Sequence, residues 1–214
     1  MLQHQVERLA GAGLDVYVAT TTNEADEPIV AAAKALGVGV FRGSEGDVLS
    51  RFAGAAHEFG LDVVVRVTSD CPLIDGLVVR EGIDRFIALG DERAHVSNVL
   101  DRSYPRGFDF EIFSASALYE ADERATKQAE REHVTPYLYA NPSSKFTLHA
   151  VRRDEDASHY RVTLDTAEDF ELIRRLFEDY NAAGLSVDEI IDVLERHSDL
   201  ARLNMHVEQK KLGE

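Results

Sequence analysis

The run Val63-Val64-Val65-Arg66-Val67-Thr68-Ser69-Asp70-Cys71-Pro72 decides how the rest of the chain is read. Its first five positions are almost continuously β-branched, the pattern of a short strand buried on both faces. Its last positions put a carboxylate just beyond the carboxyl end of that strand, before a proline that cannot continue a ladder. Open α/β sheets hold ligands at such strand ends.

Helices and strands alternate on either side of this run. Leu2, Val6, Leu9 and Ala10 recur at helical spacing and Gly11 to Gly13 end that helix before the apolar strand Val16 to Ala19. Ile29, Val30, Ala33 and Leu36 form a second stripe, stopped by Gly37, and Val38 to Phe41 is a second strand. Helices are expected over Val48 to Phe59 and Leu77 to Leu89, with a strand over His95 to Val99. Phe108, Phe110 and Ile112 alternate with Asp109 and Glu111 in an extended segment. Two helical stretches follow, Ser116 to Arg124 and Lys127 to Tyr139. Phe146 to Val151 and Arg161 to Leu164 read as the last strands. Thr166 with Asp169, and Ser186 with Glu189, open the two final helices. The polar end, Glu208 to Glu214, is expected to fray. The order predicts one domain over residues 1–214, an α/β fold with a mostly parallel sheet and helices on both faces. A doubly wound domain starts with a strand, whereas this chain starts with the helix that should follow it, so the first strand is expected to be missing.

Composition removes several function classes. The 39 acidic residues against 23 basic ones give a formal charge of −16, which repels nucleic acids and anionic membranes. No apolar run reaches the roughly 18 residues of a membrane span, and Met1 to Gln5 lacks the basic-then-apolar order of a signal peptide, so a cytoplasmic protein is expected. The single cysteine, Cys71, can form neither an internal disulfide nor a zinc pair. No dinucleotide glycine fingerprint, P-loop or nucleophile elbow is present.

Two carboxylates remain as candidate metal ligands. Asp70 ends one apolar strand and Asp165, in Arg161-Val162-Thr163-Leu164-Asp165-Thr166, ends another. Each alone is equally readable as a turn aspartate or a helix cap. Together on one sheet edge they could bind a hard cation whose other positions are filled by phosphate oxygens, which points to a magnesium–triphosphate site. Arg66, Arg106 and Arg161 lie on or beside strands and carry forks suited to phosphate or carboxylate. Arg131 and His133 begin a helical turn at a spacing that is no zinc motif, and serve equally as structural or substrate-carboxylate contacts. Arg42-Gly43-Ser44 with Asp47 is either an anion-holding helix start or a plain cap.

An ordered series of segments runs nearly end to end: Ala19 to Thr21, Arg42 to Ser44 with Asp47 to Leu49, Arg66 to Asp75, Tyr104 to Gly107, Glu130 to Thr135 and Arg161 to Asp169. The chain thereby resembles the spore-coat polysaccharide cytidylyltransferase family, relatives of the enzymes that make CMP-sialic acid and CMP-3-deoxy-manno-octulosonate. The resemblance implies a Rossmann-like nucleotide-diphospho-sugar transferase fold. It also implies transfer of CMP from CTP to a sugar or sugar-acid acceptor with release of pyrophosphate, and a homodimer. It carries the magnesium ligands onto Asp70 and Asp165, with Arg66 and Arg161 beside them. Nucleotide contacts fall on Thr20, Thr21, Ser69 and Asp70, and acceptor or dimer contacts on Arg106, Glu111, Arg131 and His133. Members of that family begin with a strand and a basic phosphate-holding loop, whereas Leu2 to Leu9 here already corresponds to the family's first long helix. A chain without that loop is expected to lack its phosphate grip, which keeps a non-catalytic, dimerising remnant open as the rival. A metal-dependent glycosyltransferase of related fold is a third reading, opposed by the absence of an Asp-x-Asp pair at a strand end.

Overall fold

The computed structural model describes residues 1–207. The expected fraying of 208–214 lies outside them. In chain order the elements are α1 (Leu2–Gly11), β1 (Tyr17–Thr21), α2 (Glu27–Ala35), β2 (Gly39–Gly43), α3 (Val48–Glu58), β3 (Val63–Arg66), α4 (Gly76–Leu89), β4 (Ala94–Ser97), β5 (Glu111–Ser114), α5 (Ala115–Arg124), α6 (Gln128–His133), α7 (Pro136–Ala140), β6 (Thr147–Ala150), α8 (Ala167–Tyr180), α9 (Val187–Arg196) and α10 (Ser198–Ala201). Among the described residues no helix is long and apolar enough to cross a membrane.

The strands form two sheets, β1–β2 and β3–β5–β4–β6. The parallel pairs are β1 with β2 and β4 with β6, while β5 runs antiparallel to both its neighbours, so the sheet is partly parallel. Asn98 explains the reversal. Its amide donates to Phe108 O at 2.7 Å and its oxygen accepts from Phe110 N at 3.0 Å, folding the connection back so that β5 starts beside the end of β4. No ladder joins β1 to β3, and Val63, Val65 and Val67 are only half-buried despite their continuous apolar run.

Helix ends follow the sequence chemistry. Asp47 accepts from Ser50 N to cap α3, and Asp75 accepts from Leu77 N and Val78 N to cap α4, which Gly90 ends in the left-handed region at φ 59°. The other Asp75 oxygen accepts from Val187 N at 2.8 Å, joining the starts of α4 and α9. Thr166 with Asp169 and Ser186 with Glu189 are the expected capping boxes. Two expectations are corrected. Lys127 to Tyr139 is not one helix, because Val134 takes φ 71° and Pro136 starts a new helix, α7. Arg161 to Leu164 is extended but paired only at a single bridge, Arg106 to Arg161. Gly107 makes that crossing possible: at φ 106°, a Cβ there would lie 2.6 Å from the Val162 carbonyl.

The core is built on both sheet faces. Val64 packs with Leu49, Ala53 and Ala56 of α3 and with Leu118 and Leu138, while Leu9, Ile74, Val79, Phe86 and Phe110 fill the opposite side. A third cluster, around Leu73, Phe108, Val162, Leu172, Ile173 and Ile190, seats α8 and α9 on the segments that carry Asp70 and Asp165.

Candidate active site

Asp70 sits in a tight turn past β3. Cys71 N donates to Thr68 O at 3.2 Å, which places Ser69 and Asp70 at the two central positions. Ser69 is exposed and Asp70 half-buried. The nearest side-chain partner of the Asp70 carboxylate is the Cys71 thiol, at 3.6 Å. That thiol is fully buried, and burial, followed by the charges of Asp70 and Asp109, pushes it well above its ordinary range, so it stays protonated. Leu164 N donates to Asp70 O at 2.9 Å. This bond lays the end of the 161–164 segment, which leads into Asp165, against the Asp70 turn.

Asp165 is about half exposed and accepts from Arg161 Nη2 at 2.5 Å through Oδ2. Arg161 is itself held by Asp169, Nε to Oδ1 and Nη2 to Oδ2, both at 2.9 Å. Asp169 has no solvent exposure. It also accepts from Asp165 N, Thr166 N and Asn204 Nδ2. Burial alone would raise its pKa, but the bonds from Arg161 and Asn204 outweigh it and hold the carboxylate below its ordinary value. Burial would likewise lower Arg161, and its Asp169 and Asp165 partners instead raise it. Sequence reasoning saw Asp169 only as a helix cap and missed Asn204. The capping-box spacing was the available signal for the first, and nothing local marks the second.

Arg106 lies opposite Arg161 across the bridge, half-buried, and its side chain makes no hydrogen bond or ion pair among the described residues. Burial, and then the nearby Arg102 charge, lower its pKa. Both arginines line a cavity of about 250 Å³ with His159, Tyr160, Leu172 and Asn204.

Arg66 and Glu111 form a separate, deeper pair. Arg66 Nη1 donates to Glu111 Oε2 at 2.8 Å and Thr135 Oγ1 donates to the same oxygen at 2.9 Å. His95 Nε2 lies 3.6 Å from Glu111 Oε1, an ion-pair separation rather than a hydrogen bond. Burial would raise the Glu111 pKa, yet the His95 ring and the Arg66 charge bring it below its ordinary value. Thr135 is delivered by a γ-turn: Thr135 N donates to His133 O at 2.8 Å around Val134, whose φ of 71° and ψ of −58° are strained for a β-branched residue. The side chain of His133 makes no hydrogen bond among the described residues.

The remaining candidates are engaged elsewhere. Arg131 donates to both Asp47 oxygens, at 2.9 and 2.5 Å, and to Asp122, fastening α6 to the start of α3. Thr20 and Thr21 belong to the β1–β2 sheet, and both hydroxyls donate to Asp26 Oδ2, at 2.7 and 2.6 Å. Those bonds, with one from Thr21 N, lower the Asp26 pKa to about 2. Asp26 was not identified from the sequence.

Among the described residues no group of three or more His, Cys, Asp or Glu side chains is placed to hold a metal ion. Asp70 and Asp165 each offer hard oxygen donors, Asp70 beside the Cys71 thiol and Asp165 bonded to Arg161. That set suits a small divalent cation that keeps water and phosphate oxygens in most of its positions. It does not suit a closed zinc site.

Residues 1–211 match a family model described as cytidylyltransferase. The chain is 31% identical over 211 residues to the spore coat polysaccharide biosynthesis protein SpsF of Bacillus subtilis, covering 94% of this chain and 84% of that protein. It is 34% identical over 202 residues to an uncharacterised protein of Methanocaldococcus jannaschii, covering 94% and 81%. A solved cytidylyltransferase from Leptospira borgpetersenii superposes with a TM-score of 0.89 at 32% identity, over 98% of this chain and 87% of that one. The structure of a CMP:2-keto-3-deoxy-manno-octonic acid synthetase complexed with CTP superposes with a TM-score of 0.58 at 14% identity, over 84% and 88%, a likeness of fold alone.

Proposed function

The chain belongs to the cytidylyltransferase family, and from that premise we propose that it transfers CMP from CTP to a sugar or sugar-acid acceptor in surface-glycan biosynthesis. The observation that supports the reading is the Leu164–Asp70 backbone bond, which joins the segment ending at Asp165 to the Asp70 turn. An acceptor hydroxyl oxygen attacks the α-phosphorus of CTP. The new P–O bond forms as the α–β phosphoanhydride bond breaks, pyrophosphate leaves, and the hydroxyl proton passes to water.

Asp70 and Asp165 would hold magnesium, which when bound neutralises charge on the phosphates. The chain's own side chains do the rest by positioning and electrostatics. Arg161, locked by Asp169, fixes the Asp165 carboxylate. Arg106, which forms no ion pair among the described residues, is the guanidinium assigned to the acceptor, whereas Arg131 is committed to Asp47 and Asp122. Glu111 serves the same end indirectly through Arg66. Ser69, exposed in the Asp70 turn, and Thr20 and Thr21, ordered by Asp26, are assigned to the nucleotide. The proposal includes His133 at the acceptor side, a single domain, a cytoplasmic setting and a homodimer.

The test follows pyrophosphate release and CMP-sugar formation from CTP and magnesium with a panel of neutral and acidic sugars, with ATP as the control nucleotide. Asp70→Asn should abolish turnover while leaving the circular dichroism spectrum and Tm unchanged. CMP-sugar formation at the unaltered rate in that variant would overturn the assignment.

A further inference from the structure

Gln5 is a polar residue on the inward stripe of α1, 5% exposed, beside Val6 and Leu9, which are also buried. An amide in that position is costly unless its donors are met. They are met by two particular acceptors: Gln5 Nε2 donates to Thr68 O at 2.7 Å and to Cys71 O at 3.3 Å. These carbonyls are the first and last of the turn that has Ser69 and Asp70 at its centre. Among the described residues the Asp70 carboxylate meets only the Cys71 thiol, at 3.6 Å, so its place is set by its backbone. That backbone is held by Leu164 N on one side and the Gln5 amide on the other.

We propose that Gln5 is a positioning residue for Asp70, aiming the carboxylate at the shared cation by clamping both ends of its turn. This deepens the metal reading above and rests on it. An apolar side chain of equal length would fill the same space on α1 but leave the turn without its clamp. Residues that orient a metal ligand in this way typically change metal affinity about 10–100-fold when removed.

The experiment measures manganese binding in the presence of CTP by electron paramagnetic resonance, alongside Tm and the magnesium dependence of pyrophosphate release. Four proteins are compared: the unaltered chain, Gln5→Met, Leu9→Val and Asp70→Asn. Gln5→Met should bind manganese about 10-fold more weakly, with its lost activity largely recovered at high magnesium. Leu9→Val loosens the same helix away from the turn, so it should lower Tm and leave the manganese curve in place. If Gln5→Met does not fold, Gln5→Asn, which keeps the amide on a shorter arm, takes its place and should shift the curve in the same direction. An unmoved curve in the Gln5 variant, or an equal shift in Leu9→Val, overturns the proposal. A curve unmoved by Asp70→Asn, or no manganese binding by the unaltered chain, overturns the metal reading itself and the Gln5 proposal with it.

Discussion

Asp169→Asn is the substitution whose cost follows most directly from the structure. Asp169 accepts bonds from Arg161 Nε and Nη2, Asp165 N, Thr166 N and Asn204 Nδ2. An asparagine can accept at only one of its two heads, and the other head, now a donor, meets donors. If the amide nitrogen replaces Oδ1, it faces Arg161 Nε and Asn204 Nδ2. If it replaces Oδ2, it faces Arg161 Nη2 and two backbone amides. Either orientation loses a charged partner for Arg161, which is 8% exposed. Breaking a buried pair costs about 3–5 kcal/mol. Asp165 remains as a second carboxylate for Arg161, which puts the expected loss near the lower end, about 3 kcal/mol. For a chain of this size that is a fall in Tm of about 6–12 °C, with an equivalent shift in the urea midpoint at unchanged slope. The pH dependence has a definite sign. The Asp169 pKa is depressed in the folded state, so its contribution is complete above the ordinary 3.8 and is lost as pH falls through the lower folded value. The substitution should therefore lower stability at pH 7 and flatten the acid limb below pH 4. A loss under about 1 kcal/mol, or an unchanged acid limb, would refute the view that Asp169 holds Arg161.

Three further outcomes are expected. Gly107→Ala places a methyl group against the Val162 carbonyl at a φ that disfavours it and should cost about 3 kcal/mol in urea melts; a neutral effect would show that the crossing relaxes easily. Arg131→Ala should destabilise by about 1–2 kcal/mol, discounted because Asp47 and Asp122 are partly exposed, without moving the KM for the acceptor; a KM effect at unchanged Tm would return Arg131 to the acceptor site. Asp26, depressed to about 2 by the two threonine hydroxyls, stabilises above its ordinary 3.8 and loses that contribution as pH falls toward 2, so Asp26→Asn should remove part of the acid sensitivity, read by circular dichroism across that range.

Local chemistry made most of the fold legible. The stripes of α1 to α4, their glycine stops and both capping boxes depend on residues within a few positions of one another, and each element appears near its expected place. The misses depended on contacts across the chain. The direction of β5 is set by Asn98 reaching Phe108 and Phe110, which no period in the sequence announces. The break at Val134 is held by Thr135 on Glu111, a partner 24 positions away.

The candidate site divides along the same line. Asp70 and Asp165 were picked out because each ends an apolar run, and the Leu164–Asp70 backbone bond joins the two segments they follow. What holds them there could not be found that way. Gln5 reads as one polar position on an amphipathic helix, and Asn204 as one residue in an irregular tail. Each becomes meaningful only through carbonyls or carboxylates more than 30 positions distant. Of the arginines picked out by their forks, the fold ties Arg66 to Glu111 and Arg161 to Asp169, and among the described residues Arg106 forms no ion pair. Residue type tells which side chains can meet a phosphate or carboxylate. The folded ion pairs decide which of them is left to do so: Glu111 takes Arg66 and Asp47 takes Arg131 across the chain, while Asp169 takes Arg161 from eight positions away.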